Sequence, residues 1–491
     1  MNCLKVLKLD DIILSSQSLE LLTNLRTLYL ENCNFSDDLS SLGKLRRLEV
    51  LSFYSCRMVA LPSELGEMVS LKMLDLTFCH QLQQIPPNVI RRLSQLEELI
   101  IQDSFLDWDV EGTTSEISSA NLSELNSLPR LVILSLKLNS NHLPKGFVFP
   151  DLHRYYIAIN CEDDGTLPCT TNSRTLEIKD LNASSMNALK SLFHTVEYIS
   201  IESCEMECIV DTIGGNHTVT FGNLIELHLW GMRCLRTICE GPNQYEIFSN
   251  LTVLHAHGCP RLISLFSPSL ARSLKMLEEL YINKCDEMKQ IISEEGIILE
   301  SHGQPICLSK LETLEVKECG KLEYIFPISV ARGLQQLESL ELIYLPQLKK
   351  VFGQNREGKV GDCEIESHHQ PTGFPKLKTI DVWNCRNLEY IFPISIARDL
   401  PQLESLDLRD LPQLKQVFGH EKGGDDGDGN NIFLSKLRKF RLWNLPELVS
   451  LGGGNGSSVW PSLESLDMVK CPKVKLSFFA NVEANVHKVI S

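Results

Sequence analysis

The sequence predicts an α/β repeat solenoid, and three observations predict it. The pattern L-x-x-L-x-L recurs from one end of the 491-residue chain to the other. Most copies start 21 to 28 residues apart, a period of stacked supersecondary units rather than of separate globular domains. The better copies extend to L-x-x-L-x-L-x-x-C-x-x-L-x-x-I-F, as from Leu311 to Phe326 and from Leu377 to Phe392.

Each part of the unit follows from its spacing. In L-x-L the leucines alternate with polar residues, so a short strand buries one side and shows the other. Cysteine or asparagine comes three residues after the strand core, where the chain turns out of the sheet and its backbone groups need partners. The later Leu and Ile-Phe fill the interior on the return path. One unit cannot bury these groups alone, whereas stacked units share a core. This is the signature of leucine-rich repeats. The expected fold is a leucine-rich-repeat horseshoe with a parallel concave β-sheet and an irregular convex side carrying short helices.

Clear copies begin at Leu4, Leu25, Leu48, Leu71, Leu96 and Leu131, and then at intervals from Leu224 to Leu463. Degenerate copies begin at Leu152, Ser173 and Val196, giving about 18 units. Regularity divides the chain into regular repeats over 1–138, irregular ones over 139–223, insertion-bearing repeats over 224–476 and a polar cap over 477–491. The insertions, 294–307, 354–374, 420–433 and 452–460, are rich in Gly, Ser or charge and read as loops off the concave side. Leu311–Gly353 reappears 66 residues later as Leu377–Gly419, with Glu-Tyr-Ile-Phe-Pro-Ile-Ser in both. The Ala-Arg-x-Leu that follows predicts a short convex helix in each copy.

Composition narrows the functional classes. A hydrophobic content of 43% supports a large core, and the formal net charge of −16 disfavours nucleic acid and anionic membrane as partners. No apolar run reaches the ~18–20 residues of a membrane span, and no secretory signal precedes Leu4. A cytoplasmic protein is the expectation. Nine of the 17 cysteines (Cys33, Cys56, Cys79, Cys204, Cys259, Cys285, Cys319, Cys385 and Cys471) share the turn position, and they read as buried thiols. Cys204-x-x-x-Cys208 lacks the second close pair that a zinc site needs.

Catalytic and cofactor motifs fail on inspection, so no enzyme activity and no cofactor is expected. Gly353-Gln-Asn-Arg-Glu-Gly358-Lys359-Val360 approaches a phosphate-binding loop, but Val360 replaces the hydroxyl that would hold magnesium. Asp426-x-Asp428-x-Asn430 begins like a calcium loop, but Asn431 stands for the required Gly and Leu437 for the bidentate acid.

The concave strand positions hold the candidate site. Register sets His228 beside His255, with Trp230 and His257 as the next outward pair and Glu226 and Tyr281 flanking. Three histidines this close offer a metal or pH site as one reading, and a polar, aromatic recognition patch is the favoured one. Trp383 and Trp443 share the position of Trp230, and Tyr344 lies one residue later in its repeat. Exposed Trp and Tyr are the residue types most enriched at binding hot spots. Glu315, Glu341, Asp381, Asp407, Arg441 and Asp467 follow in successive repeats as a mainly acidic column, only partly relieved by Lys317 and Arg409. A basic protein surface is the partner such a column fits.

Leu277-Glu-Glu-Leu-Tyr-Ile-Asn-Lys-Cys-Asp-Glu-Met-Lys-Gln-Ile-Ile292 and Leu388-Glu-Tyr-Ile-Phe-Pro-Ile-Ser-Ile-Ala-Arg398 carry a family resemblance. The chain resembles the leucine-rich-repeat region of plant coiled-coil nucleotide-binding disease-resistance proteins, over nearly its whole length. The resemblance implies cytosolic recognition of a pathogen effector or modified host protein, and contact with other domains of a full-length receptor. On this reading the chain is expected to lack the family's coiled-coil and nucleotide-binding domains, which have no room before Leu4. The alternative is the substrate-recognition half of an F-box ubiquitin-ligase adaptor, whose repeats are more regular.

Overall fold

The computed structural model describes residues 4–15, 18–109, 119–161, 173–210, 221–239, 247–293, 308–331, 333–353, 374–393, 400–419, 434–450, 460–474 and 487–490. The chain gathers into two compact units, Met1–Glu205 and Met206–Ser491. The boundaries drawn on repeat regularity fall elsewhere, because even spacing and compactness are different properties.

Unit 1 carries nine parallel strands, one per repeat: β1 (Val6–Asp10), β2 (Thr27–Glu31), β3 (Val50–Tyr54), β4 (Met73–Asp75), β5 (Glu98–Ile101), β6 (Ile133–Leu138), β7 (Arg154–Ile159), β8 (Arg174–Lys179) and β9 (Tyr198–Glu202). Unit 2 carries ten: β10 (Glu226–Trp230), β11 (Val253–His257), β12 (Glu279–Asn283), β13 (Thr313–Lys317), β14 (Ser339–Ile343), β15 (Thr379–Trp383), β16 (Ser405–Arg409), β17 (Lys439–Trp443), β18 (Ser465–Val469) and β19 (His487–Ile490). Every L-x-x-L-x-L copy therefore leads into a strand. The exception is β19, which pairs with β18 inside the stretch expected to be a polar cap and has no leucine pattern to announce it.

The second and fourth residues of a strand face the core. Leu314, Leu340, Ile380, Leu406, Phe440 and Leu466 lie opposite one another in register, each at most 2% exposed. The irregular repeats keep alternate residues inward with one register step, and in β8 the inward Leu176 and Ile178 are the third and fifth residues. The degenerate copies would set Tyr155 against Leu176, but Tyr155 faces Arg174 and Ile157 faces Leu176. A step of two residues leaves every inward side chain inward, so the core tolerates it. Buried Tyr155 donates its hydroxyl to the Leu192 carbonyl at 2.9 Å.

The turn after each strand explains the cysteines. The residue just past the strand takes a positive φ, as at Ser55, Lys284, Asn384 and Lys470. The next residue, Cys56, Cys285, Cys385 or Cys471, is buried as a free thiol. Its Sγ donates to the carbonyl of the inward residue one repeat back: Leu30 at 3.3 Å, Ala256 at 3.8 Å, Leu342 at 3.8 Å and Leu442 at 3.7 Å. A small apolar side chain with one weak donor suits a site that is both crowded and rimmed by carbonyls.

The far side of unit 2 is more regular than expected. Short parallel pairs form there, Ser264–Phe266 with Gln290–Ile292, Tyr324–Pro327 with Lys350–Gly353, and Phe392–Pro393 with Phe418–Gly419. Helices on this side include Pro268–Ser273 and Ile328–Ala331. The latter ends where the Ala-Arg-x-Leu helix was expected to run, and its duplicate lies outside the described residues. So do nearly all of the loop insertions, the body of the phosphate-loop look-alike and the start of the calcium-loop look-alike. Phe374 and Trp460, at the ends of two insertions, are buried in the core, as is Leu437. Among the described residues no helix is long and apolar enough to cross a membrane.

Two stability measurements test this packing. Leu314→Ala and Leu340→Ala should each cost about 2–5 kcal/mol in urea unfolding, the usual range for emptying a buried leucine site. Costs below about 1 kcal/mol for both would mean that these side chains are not core. A Cβ at Gly353 would stand 2.7 Å from the Tyr324 ring. Gly353→Ala should therefore destabilise by about 1–3 kcal/mol through overpacking, and a thermal midpoint equal to wild type would refute the close approach.

Candidate functional site

Because the inward residues are held in register, the outward residues of unit 2 form rows. The third strand position gives His228, His255, Tyr281, Glu315, Glu341, Asp381, Asp407, Arg441 and Asp467, each directly opposite the next. The fifth position gives Trp230, His257, Asn283, Lys317, Ile343, Trp383, Arg409, Trp443 and Val469. Glu226 opens β10 in the first position, opposite Val253. Tyr344 lies just past β14, beyond both rows.

At one end the rings stack. His228 and His255 lie 4.5 Å apart at 18°, and His255 and Tyr281 lie 4.2 Å apart at 23°. Trp230 leans on His257 with centroids 5.2 Å apart. His228 Nε2 lies 3.2 Å from Glu226 Oε2, and the Tyr281 hydroxyl donates to Glu279 at 2.8 Å. Ring nitrogens project in the plane of the ring, so face-to-face rings run their donors side by side rather than toward one point. Among the described residues no group of three His, Cys, Asp or Glu is placed to hold a metal ion.

The acidic column is compensated from within. Lys317 Nζ bridges Glu315 at 2.9 Å and Glu341 at 3.0 Å. Arg409 grips Asp407 through two bonds, with Nε to Oδ1 at 2.7 Å and Nη2 to Oδ2. Arg441 reaches Asp407 at 2.9 Å and Asp467 at 3.4 Å. Relief is thus larger than spacing alone implied, because Arg441 within the column adds two ion pairs to those of Lys317 and Arg409. Asp381 is the exception. Half-buried between Glu341 and Asp407, it makes no ion pair or hydrogen bond among the described residues. Burial first, then Asp407 and Glu341, push its carboxyl above the usual aspartate value.

Sequence reasoning missed the packing of Arg409, whose guanidinium covers the Trp383 ring at 4.0 Å. The two are opposite in register, and that adjacency was a readable signal. Trp383 is thereby half-covered, while its buried Nε1 finds no acceptor among the described residues. Trp230, Trp443 and Tyr344 stay exposed. Beside Tyr344 and Trp443 lies an open cleft of about 490 Å³, walled by these two with Trp383, Asn384, Arg409, Asp410 and Arg441. The arrangement offers flat apolar rings, oriented cations and acids on one face, with no nucleophile–base pair among the residues of these rows.

Comparisons with known proteins agree with the repeat reading. The family described as plant disease resistance protein RPS2-like, leucine-rich repeats, matches residues 153–286, 295–345 and 337–412, and a general leucine-rich repeat matches residues 24–45. A disease resistance protein of Arabidopsis thaliana is 24% identical over 77% of this chain and 37% of its own length. A putative disease resistance protein of the same plant is 24% identical over 92% of this chain and 38% of its own. The chain thus spans well under half of the curated relatives it matches. Among solved structures, a Leptospira interrogans leucine-rich-repeat protein covers 99% of this chain and 90% of its own at 17% identity, with a TM-score of 0.40.

The ring stack gives a pH prediction. Burial, and secondarily His228, hold the His255 imidazole below its ordinary value, against the pull of Glu279, Glu226 and Glu315. The neutral ring is favoured in the folded chain. Its stabilisation is complete above the unfolded pKa of about 6.5 and is lost as pH falls through the lower folded value. His255→Phe keeps a flat ring and removes the titration. Between about pH 7.5 and 5 the wild type should lose more resistance to urea than this variant does. Equal losses would disconnect His255 from the acid response.

Proposed function

This chain belongs to the plant disease resistance protein RPS2-like leucine-rich-repeat family, and on that premise we propose that its open sheet face recognises another protein in plant defence. The partner in this reading is a pathogen effector, a modified host protein or another domain of a longer receptor. Recognition takes place in the cytoplasm and involves no catalysis by the chain itself. One observation carries the proposal. The outward face of unit 2 exposes Trp230 and Trp443 in its fifth-position row and Tyr344 just beyond it, beside registered charges, where a fold requires only solubility.

Exposed tryptophans on a sheet lose the benefit of burial unless a partner covers them, and Trp and Tyr dominate binding hot spots. The charges around them set orientation and encounter rate more than affinity. Family membership favours this reading over the F-box adaptor alternative. The relatives' full lengths exceed this chain, so the activities of whole receptors are not carried over to it.

Capture on immobilised chain from challenged and unchallenged plant tissue tests the reading. A partner held through this face should be retained by wild type and weakened roughly tenfold or more by Trp443→Ala, the size of a hot-spot loss. A partner retained equally by Trp443→Ala and Trp230→Ala, but lost on substitution of the opposite side, would place recognition elsewhere.

A further inference from the structure

The surroundings of Tyr344 narrow the chemistry of the partner, an inference that rests on the open face being a protein-binding surface. Tyr344 directly follows β14 with φ +54°, in the row of turn residues that also holds Asn384, Asp410 and Asn444. Those three have short polar side chains suited to left-handed backbone. Tyr344 instead projects a ring that is 55% exposed. It stands between two clefts. One is the 490 Å³ cleft toward Trp383 and Trp443. The other, of about 380 Å³, is lined by Asp286, Glu318, Gly320 and Pro346 as well as Tyr344 itself.

The charges of the two clefts differ in availability. Arg409 is held by Asp407 and stacked on Trp383, and Arg441 is shared between Asp407 and Asp467. Each is already paired with an acid, so much of its charge is neutralised toward a further acidic ligand. The acids are open. Asp286 and Glu318 make no ion pair among the described residues. Asp410 accepts from Asn444 Nδ2 at 2.6 Å and makes no close ion pair there, although Arg409 stands near enough to feel its charge. Beside these acids stand the exposed rings of Tyr344 and Trp443, the surfaces on which a guanidinium or ammonium stacks.

We propose that a basic, extended segment of a partner protein crosses this face over Tyr344, with one Arg or Lys side chain entering each cleft. Glu318 and Asp410 end repeats that are three strand spacings apart, roughly 14 Å, which an extended chain covers in about four residues. The segment therefore carries two basic residues about four positions apart with an apolar stretch between them to lie on the Tyr344 ring. The net charge of −16 favours its approach and opposes a second copy of this chain as the occupant.

Fluorescence anisotropy on the whole chain tests this, with fluorescein-labelled peptides of about nine residues. One has two arginines four positions apart, a second has them adjacent, and a third carries glutamates instead. The spaced basic peptide should bind at least about tenfold tighter than the adjacent one, and the acidic peptide should not bind. Tyr344→Asn leaves charge unchanged and uses the residue of neighbouring repeats, so it should fold as wild type, yet weaken the spaced peptide about tenfold. Glu318→Gln and Asp410→Asn should each weaken it about threefold to tenfold, more at low salt. Equal affinity for both basic peptides, unaffected by Tyr344→Asn, would reduce the effect to general attraction and overturn the proposal. Preference for the acidic peptide, or self-association abolished by Tyr344→Asn, would overturn it as well. If the peptides fail while capture from tissue still depends on Trp443, only this assignment falls; if capture also ignores Trp443, the recognition reading falls with it.

Discussion

One repeat of this chain cannot bury its own leucines. That constraint forces each unit to lie in register on the next, because a strand shifted by one residue would turn its core side chains to water. Register then fixes everything on the other side of the sheet. With Leu314, Leu340 and Ile380 aligned inside, Glu315, Glu341 and Asp381 must align outside. The rows of rings and charges follow from a core requirement, while their residue types do not. Leucine and cysteine spacing explain why the rows exist, and nothing in the core explains why they hold tryptophan, histidine and acid.

Charge shows how little of the outward rows is left to chance contact. Acids stacked about 5 Å apart would repel by roughly 1 kcal/mol per pair even in water-like surroundings. Lys317, Arg409 and Arg441 answer this locally. Arg409 does so twice over, holding Asp407 while covering Trp383, so one side chain satisfies a buried acid and shields an indole. Asp407 is only 8% exposed and would be costly without its two guanidiniums. Exposed pairs such as Lys321 with Glu287 contribute little by comparison. The face is therefore a preformed surface whose remaining open acids stand at the turn row and at Asp381.

Much of this was legible in the sequence because period and burial are coupled. Strand positions, inward residues and the order of both outward rows followed from L-x-x-L-x-L alone. What was not legible had no period. The step that sets Ile157 against Leu176 needed the backbone, since either register keeps the same faces buried. The strand His487–Ile490 carries no leucine pattern. The short pair Tyr324–Pro327 with Lys350–Gly353 brings the Tyr324 ring over Gly353, a three-dimensional fit that spacing does not encode. The reach of Lys317 to two acids, and the clefts beside Tyr344, depend on side-chain direction rather than on order along the chain.

The duplicated pair of repeats separates scaffold from face within this one sequence. Across the 66-residue offset, Leu314 corresponds to Ile380, Val316 to Val382, Cys319 to Cys385, Tyr324 to Tyr390 and Gly353 to Gly419. These are the core, the thiol ladder and the close approach of ring to glycine, and they keep their chemistry. The third strand position keeps its acid, as Glu315 against Asp381 and Glu341 against Asp407. The outer positions do not. Lys317 corresponds to Trp383, Ile343 to Arg409 and Tyr344 to Asp410. The strand pattern imposes no such changes, because these positions lie on the side of the sheet away from the leucine core. The differences include the positions where the indole, its covering guanidinium and the exposed tyrosine meet in one cleft, alongside others such as Gly320 against Arg386 and Gln335 against Pro401. A scaffold copied with its interior intact and its outermost row rewritten is what a recognition surface requires, since the interior sets where side chains stand and the outer row sets what they bind.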